Sequence, residues 1–507
     1  MTEEKDQVRV VIERRYDETI AGIVNTLQLV IVALALAFIV RTFFVEAFRI
    51  PTGSMAETLS GAHYHIRCDM CGFKYDLGHD SNIKPNAECP NCKRQDPDVA
   101  QMNPSNGDRI FVMKSIYQFM APKRWDVVVF RNPLDPSENY IKRLIGKPFE
   151  KLELIGGDVY VDRVIQRKPR HVQDELWVQI YDSEYRPYIG YGGSLDEDGA
   201  DGAFVWEVPF GNDENSEWQS DPTGSYGFKV DGEPGDIHTL VFDSSDGEKF
   251  RSFYAYNNSS RYSTAPWCSD FKIEFFADIP DDEVTRIGAV LGKYGRSYRG
   301  SVDGSGLMQI ERFERGRFEE LGRLKLSAAM HGKVQIKFAN VDHLLIFEVD
   351  DQKLVFDLGK NPEAAGVRFS VLDPDADDED DMIEVVPSIS IVAMGKVGLS
   401  NISIFRDIHY IDGTKARRGK PFEIGEDEFF VCGDNSMDSF DSRLWESPGK
   451  GHNGKTYRKG IVPRDYLVGK AFFLYWGDAF KPFENALPLI PNFSQAKRIY
   501  GGVRATN

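Results

Sequence analysis

The sequence predicts a mainly β chain, with an N-terminal transmembrane helix, a core built as a β-barrel or β-sheet, and an inserted antiparallel β-sandwich of the jelly-roll kind. Three observations lead to this prediction. Residues 20–40 form one long run without a charge. Short segments of alternating apolar residues recur beyond it, which is typical of half-buried strands. The acidic middle of the chain lacks a long amphipathic helical pattern.

Size and composition limit the class of protein. With 507 residues, the chain should contain more than one domain. Its 41% hydrophobic and 28% charged residues are those of a globular chain, which excludes wholesale disorder. The net charge of −18 argues against a nucleic-acid partner, because binding phosphates requires clustered Lys and Arg.

The uncharged run at 20–40 has the length of a membrane span, since about 20 helical residues cross a ~30 Å hydrocarbon core. The alternative is a cleavable secretory signal. The preceding residues 1–19 disfavour it, because they form a long polar tail of mixed charge. Basic residues flank both ends of the uncharged run, so their distribution only mildly favours a cytoplasmic N-terminus. We therefore expect a single-pass cell-membrane protein (inner or plasma membrane), with the rest of the chain on the extracytoplasmic side.

Alternation of apolar residues predicts individual strands. Residues 126–130 and 151–155 read as strands that follow the membrane segment. In the middle of the chain, 334–338 and 345–349 alternate in the same way. Residues 350–353 should form the turn before the next strand. Short strands at close spacing indicate an antiparallel sandwich.

The negative charge is confined to one block of the chain. From Arg170 to Tyr410 there are 45 acidic and 23 basic residues, a net charge of −22 within a chain of −18. This composition indicates an acidic β domain inserted into a roughly neutral core. The predicted organisation is a tail at 1–19, a span at 20–40, a core in two parts at 43–169 and 411–485, the insertion at 170–410, and a C-terminal tail at 486–507.

Two CxxC pairs separated by 17 residues lie in the first part of the core, within a small insertion at 63–95. They consist of Cys68, Cys71, Cys89 and Cys92. This spacing matches a zinc ribbon, in which four thiolates close a tetrahedral structural site. Two disulfides remain the alternative, because this segment should lie outside the cytoplasm, in a compartment where disulfides form. The nearby His63 and His65 are expected to be surface histidines outside a complete four-cysteine shell. No organic cofactor is expected.

A serine and a lysine stand out against this background. Ser54 lies in Pro-Thr-Gly-Ser-Met, 14 residues beyond the apolar run, and Lys142 lies in Tyr-Ile-Lys-Arg-Leu-Ile-Gly. A serine hydroxyl needs a base to become a nucleophile, and a buried lysine with a lowered pKa can serve as one. Taken alone, such a serine is more often a turn residue and such a lysine an exposed edge charge.

Four short boxes, taken in order, resemble the type I signal peptidase family. These enzymes are membrane-anchored serine/lysine endopeptidases that remove signal peptides from exported preproteins. The boxes are Pro-Thr-Gly-Ser-Met at 51–55, Gly-Asp-Arg-Ile-Phe-Val-Met-Lys at 107–114, Lys-Arg-Leu-Ile-Gly-Lys-Pro at 142–148, and Gly-Asp-Asn-Ser-Met-Asp-Ser-Phe-Asp-Ser-Arg at 433–443. The resemblance covers about 43–165 and 420–480, and it implies a β-rich catalytic core.

The resemblance also implies roles for individual residues. Ser54 would be the nucleophile and Lys142 the general base, with Ser439 orienting the lysine. The Thr52 hydroxyl and the Ser54 backbone N–H would form the oxyanion hole. The residues expected to line the substrate pockets are Phe48, Ile50, Tyr140 and Ile141. The pair expected to hold the last box in place is Asp441 and Arg443.

The implied partners are exported preproteins and the lipid bilayer. The insertion is left with two candidate ligand classes, carbohydrate and protein, because residues 397–408 resemble the last strand of a laminin-G or concanavalin-A-like jelly roll. Two other functions compete with general signal peptide removal. One is an anchored binding or scaffolding protein on a retired protease core, and the other is a processing protease of narrow specificity. A retired core should have lost a catalytic residue, yet Ser54, Thr52, Lys142 and Ser439 are all present.

Overall fold

The computed structural model describes most of the chain. The described residues are 3–79, 87–96, 99, 101–187, 208–220, 227–242, 248–257, 265–280, 284–365, 387–412, 421–451, 455–476, 479–480, 490–491 and 497–499. The predicted C-terminal tail at 486–507 lies outside them except for 490–491 and 497–499.

The helices are few and mostly short. They are α1 (Glu3–Ile39), α2 (Ile116–Phe119), α3 (Arg170–Leu176) and α4 (Pro362–Ala365), with a π-helical turn at Val40–Phe44 and 3-10 turns at Glu248–Phe250, Ser436–Asp438 and Arg464–Tyr466. Within the described residues, one helical stretch is long and apolar enough to cross a membrane, Ile20–Phe44, with a mean hydropathy of 2.6. A signal sequence near the N-terminus would have the same length and composition.

Strands make up most of the remaining structure. The first part of the chain contains β1 (Val45–Arg49), β2 (His63–Arg67), β3 (Lys74–Gly78), β4 (Ala87–Glu88), β5 (Gln95–Asp96), β6 (Arg109–Lys114), β7 (Val127–Arg131), β8 (Asn139–Gly146), β9 (Lys151–Ile155), β10 (Asp158–Val161) and β11 (Val164–Ile165). The middle contains β12 (Val178–Asp182), β13 (Phe210–Asn212), β14 (Gln219–Ser220), β15 (Phe228–Asp231), β16 (Ile237–Phe242), β17 (Phe271–Ile279), β18 (Arg286–Lys293), β19 (Arg296–Asp303), β20 (Leu307–Glu314), β21 (Arg317–Lys325), β22 (Gly332–Val341), β23 (Leu344–Val349), β24 (Gln352–Asp357), β25 (Ser388–Met394) and β26 (Lys396–Arg406). The last part contains β27 (Phe422–Glu423), β28 (Glu428–Cys432), β29 (Gly449–Lys450), β30 (Thr456–Tyr457), β31 (Val462–Pro463), β32 (Leu467–Trp476), β33 (Ala479–Phe480), β34 (Ile490–Pro491) and β35 (Lys497–Arg498).

The core sheet joins strands from both ends of the chain. Its order is β1-β6-β32-β7-β8-β28-β31, with β35 added beside β32. Strand β32 comes from the last part of the chain, yet it lies between β6 and β7 from the first part. A smaller sheet of order β11-β10-β9-β27 is also completed by a late strand, β27. The two flanking parts of the sequence therefore fold together around the middle of the chain.

The middle of the chain forms two antiparallel sheets. One has the order β14-β15-β26-β17-β22-β23-β24 with β12 beside β26, and the other has the order β13-β16-β25-β18-β19-β20-β21. Strand β17 alternates between buried and partly buried residues along its nine positions, as a strand with one face on a core does. Apolar residues from both sheets, such as Phe275 and Ile391, share one hydrophobic cluster, so the sheets pack as a sandwich.

These elements confirm the predicted mainly β fold with its apolar N-terminal helix. The alternating segments at 126–130, 151–155, 334–338 and 345–349 coincide with β7, β9, β22 and β23 to within a few residues. The turn predicted at 350–353 was too long, because β24 already begins at Gln352. Asp350 adopts a φ of 49°, which lets a shorter turn reverse the chain.

A buried network of charges lies where the core meets the sandwich. Asp158 comes from β10 of the core, whereas Asp270 precedes β17 and Lys293 ends β18. Lys293 pairs with Asp270 and lies 3.8 Å from Asp158. Lys168 completes the network, with its Nζ 2.5 Å from Asp342 and 2.8 Å from Asp407. The lysines thus bind carboxylates from both parts of the molecule, which fixes the sandwich against the core.

Candidate active site

The turn that follows β1 carries Ser54. Hydrogen bonds to one residue of the second box, Asp108, hold it in place. The Ile50 N–H donates to the Asp108 carbonyl at 2.8 Å, and the Ser60 N–H donates to the Asp108 carboxylate at 2.8 Å. The turn is therefore pinned at both ends to the start of β6. Within it, Ser54 is buried.

Lys142 faces this serine from β8. Its Nζ lies 2.7 Å from Ser54 Oγ and 3.0 Å from the Ile141 carbonyl oxygen, to which it donates. The lysine is only 4% exposed. Burial lowers its pKa from 10.5 to about 8, although the nearby Asp441 carboxylate opposes this shift. The physical cause is that a protonated amine loses its hydration in the protein interior. A substantial fraction of this lysine is consequently neutral just above neutral pH.

The fourth box closes the site from the end of β28. Arg443 binds Asp441 through Nη2 at 2.6 Å and Nε at 2.8 Å, with both residues buried. Burial alone would raise the pKa of Asp441, but the Arg443 guanidinium holds it below its usual range. The Ser439 hydroxyl donates to Asp441 Oδ2 at 2.7 Å. A Cβ at Gly433 would lie 2.3 Å from the Ser54 carbonyl oxygen, so only glycine permits this close approach.

The remaining residues from the sequence prediction lie around this centre. Phe48, Ile50 and Ile141 share one apolar cluster, in which Ile50 and Ile141 are buried and Phe48 is half-buried. The Tyr140 ring lies 5.4 Å from Lys142 Nζ. Thr52 is exposed, two residues before the serine. The structure therefore brings the predicted residues of the first, third and fourth boxes to one place.

Sequence reasoning missed a second buried ion pair. Arg143 donates through Nε to Asp434 Oδ1 at 2.8 Å and through Nη2 to Asp434 Oδ2 at 2.7 Å. The two parallel hydrogen bonds of such a bidentate pair are strong and fix the relative orientation of the two side chains. It joins β8 to the fourth box directly beside Lys142. The available signal was a second basic residue in a strand with Ile141, Leu144 and Ile145, since an arginine there is costly to bury without a partner.

Sequence reasoning also missed a contribution from the inserted block. Residues 252–257, which we call the strut segment, lie between Glu248–Phe250 and β17 and reach the core. Tyr254 donates from its hydroxyl to the Asp434 carbonyl at 3.1 Å. Asn257 exchanges two side-chain hydrogen bonds with Asn435, of 2.9 and 2.7 Å. The inserted block is thus packed against the fourth box and is not a detached appendage.

The four cysteines of the CxxC pairs come together as a cluster. All four Sγ atoms lie within 4.8 Å of one another. The distances are 3.6 Å between Cys68 and Cys92 and 3.7 Å between Cys71 and Cys89. Disulfides require about 2.05 Å, and all four cysteines are free. Four thiolates at the Zn–S distance of ~2.3 Å in a tetrahedron are ~3.8 Å apart, so the residues fit a zinc ion.

The prediction for the histidines was wrong in part. His63 is not a surface residue, since it is only 2% exposed. Besides its pairing in the β2–β3 hairpin, its backbone forms a bridge with Ser105. His65 is half-buried and contacts His63 directly. The sequence contained no signal for this burial, because the histidines alternate with Tyr64 and Ile66 along β2, a pattern that predicts the apolar side chains on the buried face.

Parts of the chain are similar to known proteins. A family model described as signal peptidase, peptidase S26, matches residues 97–187 and 402–476, which extend from the core into the first and last strands of the sandwich. Signal peptidase I of Rickettsia prowazekii is 32% identical over 135 residues, which is 26% of this chain and 42% of the relative. The chain resembles type I signal peptidases. That of Rickettsia bellii is 27% identical over 166 residues, or 32% of this chain and 46% of the relative. The signal peptidase matches thus span less than half the length of these relatives.

Solved structures with low TM-scores also resemble part of the chain. A carbohydrate-binding module from Bacillus subtilis covers 39% of this chain and 95% of its own length, with a TM-score of 0.24 and 12% identity. Sheep galectin-11 in complex with glycerol covers 28% of this chain and 92% of its own, with a TM-score of 0.19 and 11% identity. TM-scores this low support no conclusion about a ligand, so the carbohydrate or protein partner predicted for the sandwich remains a prediction.

Proposed function

We propose that this chain is a membrane-anchored serine endopeptidase that removes signal peptides from exported preproteins. The observation that carries the proposal is the 2.7 Å separation of Ser54 Oγ and Lys142 Nζ within a buried site. A nucleophile and a base in hydrogen-bond contact are the minimum required for nucleophilic catalysis. The matching family segments on both sides of the sandwich support the same class of reaction.

In the first half of the reaction, neutral Lys142 accepts the proton of Ser54 as Oγ attacks the scissile carbonyl. The negative charge that develops on the carbonyl oxygen is stabilised by the Ser54 N–H and the Thr52 hydroxyl. When the C–N bond breaks, the lysine returns its proton to the leaving amine, and an ester of Ser54 remains. Burial of Lys142 supports this role because it raises the neutral fraction of the amine.

In the second half, water attacks the ester. Lys142 accepts a proton from that water and returns it to Ser54 Oγ as the ester bond breaks, which restores the free serine. Asp441 and Arg443 hold the fourth box in register, and the Ser439 hydroxyl donates to Asp441. We propose that Ser439 orients the lysine from this position. Its hydrogen bond to Asp441 supports an action through that carboxylate, whose charge raises the pKa of Lys142 against the effect of burial.

The position of the site directly after the apolar helix supports a substrate that emerges from a bilayer. Strand β1 begins directly after the apolar stretch Ile20–Phe44. The Ser115 hydroxyl donates to the Phe43 carbonyl at 3.3 Å, which joins the anchor to the core sheet. We propose that Phe48, Ile50, Tyr140 and Ile141 line shallow pockets for small side chains before the cut. The catalytic core would then lie at the extracytoplasmic surface of the membrane.

The test of this function is cleavage of a preprotein by the purified full chain in detergent. Wild-type protein should release the mature domain with a single new N-terminus, which mass spectrometry can locate. Ser54→Ala should leave the preprotein intact, because the attacking oxygen is removed. Ser137→Ala, an exposed serine that bonds only its own loop at Asp135, is the matched control and should cleave normally. Equal cleavage by wild type and Ser54→Ala would contradict the proposal.

We also propose that residues 170–410 are a domain inserted into one catalytic core at 43–169 and 411–485. The strands from β12 to β26 pair only among themselves within the described residues. The core sheets, in contrast, combine strands from before and after that block. The charged network and the strut segment are the contacts that hold the two parts together.

A structural zinc ion is proposed at the four-cysteine cluster. The Sγ distances of 3.6 and 3.7 Å support it, as do two matching turns in which Gly72 and Lys93 donate to the carbonyls of Cys68 and Cys89. Four cysteines complete a closed tetrahedral shell, which is the arrangement of structural sites. The ion would stabilise the small β2–β5 region.

The zinc site predicts a spectroscopic result. Full-length protein reloaded with Co²⁺ should show thiolate-to-cobalt charge-transfer absorption, and Cys89→Ser should weaken it and lower the melting temperature. Cys268→Ser is the matched control, because Cys268 lies within the sandwich core. An intact mass that shows all four thiols oxidised would contradict the site.

A further inference from the structure

A second cluster of potential ligands lies at the base of the β2–β3 hairpin. His63 Nε2 and His65 Nε2 are 3.0 Å apart. His65 Nδ1 lies 2.6 Å from Asp76 Oδ1, and Asp76 Oδ2 lies 3.8 Å from His63 Nε2. On the other side, His63 Nδ1 lies 2.6 Å from the Gly61 carbonyl oxygen. These groups form a compact set of two imidazoles and one carboxylate.

The contacts at the Nδ1 atoms determine where the ring protons lie. A carbonyl oxygen cannot donate, so His63 Nδ1 must carry the hydrogen that it shares with Gly61. An ionised carboxylate cannot donate either, so His65 Nδ1 carries the hydrogen directed at Asp76. In the neutral tautomers, both Nε2 atoms then present lone pairs to each other at 3.0 Å. Two acceptors at this distance require a cation or an additional proton between them.

We propose that His63, His65 and Asp76 form a binding site for a divalent cation of borderline softness, such as Zn²⁺. Imidazole nitrogens prefer such ions over Mg²⁺ or Ca²⁺. Two nitrogens bound at ~2.0–2.1 Å in a tetrahedron lie ~3.3 Å apart, close to the 3.0 Å observed. Each histidine is oriented by a hydrogen bond from its other ring nitrogen, as metal-bound histidines are. Asp76 supports the site by accepting from His65 Nδ1, so the two imidazole nitrogens bind the ion and leave two of its tetrahedral positions for water.

The fold holds these ligands in place. His65 and Asp76 are direct partners in the β2–β3 ladder. His63 is fixed through its backbone, since its carbonyl accepts from the Ser105 N–H at 2.7 Å. A cation here would fix the His63 ring, whose Nδ1 donates to the Gly61 carbonyl, seven residues after Ser54. It would thereby stiffen the connection between the cysteine cluster and the turn of the candidate nucleophile.

The test counts metal ions in purified full-length protein that has been loaded with Zn²⁺ and dialysed. Wild type should retain one zinc more per chain than His65→Ala. His79→Ala is the matched control, because His79 is exposed directly after β3 and its ring bonds Tyr64, which is not a proposed ligand. This variant should retain as many zinc ions per chain as wild type. Asp76→Asn should weaken the second zinc by at least ~10-fold. The charge-transfer absorption of bound Co²⁺ should be unchanged in His65→Ala, since the thiolates remain.

Equal zinc content in wild type and His65→Ala would overturn the proposal. In that case the two imidazoles share a proton and form no metal site. Because the comparison is a difference between variants, it is independent of whether the cysteine cluster binds zinc. Far-ultraviolet circular dichroism of His65→Ala should match that of wild type, as expected for a half-buried residue.

A different set of contacts, around Asn257, carries a second inference. Asn435 of the fourth box donates through Nδ2 to the Gly53 carbonyl at 3.1 Å, and its N–H donates to the Ser54 carbonyl at 3.1 Å. Asn257 of the strut segment completes the hydrogen bonds of the Asn435 amide group. Both asparagines are buried. The inserted domain therefore fixes the amide that holds the nucleophile turn.

We infer that Asn257 is a positioning residue for the cleavage reaction, acting through Asn435; this inference rests on the proposed function. Without Asn257, one Asn435 N–H and its side-chain oxygen lose their partners within a buried site, which favours rotation of the amide away from Gly53. A displacement of about 1 Å in the nucleophile can cost ~10²-fold in rate. Substrate-binding pockets would be unaffected, because the residues proposed to line them lie on β1, directly after it, and on β8.

Steady-state cleavage kinetics test the role of Asn257. Asn257→Ala should lower kcat by ~10–10²-fold and change KM by less than about 2-fold. Asn257→Asp keeps the acceptor for Asn435 and should recover part of the kcat. Asn212→Ala, which removes a local contact to Trp218 in the same domain, is the control and should cleave as wild type does. A wild-type kcat in Asn257→Ala would overturn the inference, whereas absence of cleavage in wild type would overturn the proposed function.

Discussion

Replacing Lys142 with methionine should give a protein that is more stable than wild type and does not cleave preproteins. The amine is almost fully buried, and its pKa is lowered from 10.5 to about 8. This shift corresponds to about 3 kcal/mol of destabilisation at neutral pH. Methionine has a similar length and requires no hydration, so the cost disappears. Removal of the base should reduce cleavage by ~10⁴-fold or more, because Ser54 would retain its proton.

The pH dependence of this difference has a defined sign. Between pH 8 and 10.5 the unfolded lysine holds a proton that the folded lysine has lost. Wild-type stability should therefore rise through this range relative to Lys142→Met, and the two should converge. Denaturation midpoints measured in detergent at several pH values would show this. Lys142→Arg should not restore cleavage, because guanidinium cannot accept the proton. Full activity of Lys142→Arg would contradict the role of the lysine.

Lys293→Met should strongly destabilise the junction between the core and the sandwich. Lys293 is buried and compensates Asp270, which burial would otherwise force to take up a proton. Removal of one partner from a buried pair typically costs about 3–5 kcal/mol, since a carboxylate remains without compensation. The cost should be largest at neutral pH. It should become smaller as the pH falls and Asp270 becomes protonated.

Thermal unfolding of the full-length protein is the appropriate measurement for this prediction. Lys396→Met provides the matched control, because Lys396 pairs with Asp231 at 3.4 Å on the exposed surface of the sandwich. Exposed pairs of this kind contribute about 0–1 kcal/mol, so its melting temperature should be close to that of wild type. Equal melting temperatures for the two variants would show that the buried network does not hold the junction.

The sequence allowed much of the fold to be predicted, for a simple reason. Alternation with a period of two, as at 334–338 and 345–349, depends only on which face of a strand meets the core. Strand order could not be predicted in the same way. The position of β32 between β6 and β7 depends on contacts across more than 300 residues, which no local pattern encodes.

The candidate site shows the same division. Ser54 and Lys142 could be found because each lies in a short box of recognisable residue types. Asn257 could not, since the strut segment is an irregular loop whose partner in the fourth box is 178 residues away. His63 was misread because its burial comes from a bridge to Ser105 and not from its own strand pattern. Residues that act through tertiary contacts require the structure.

The pH dependence of preprotein cleavage tests the serine/lysine mechanism most directly. With Lys142 as base at a pKa of about 8, kcat/KM should rise tenfold per pH unit at acidic pH and level off above about pH 8. The slope follows because only the neutral amine can accept the serine proton. A plateau already reached near the ordinary histidine pKa of ~6.5, or a rate that falls towards pH 8, would contradict this account.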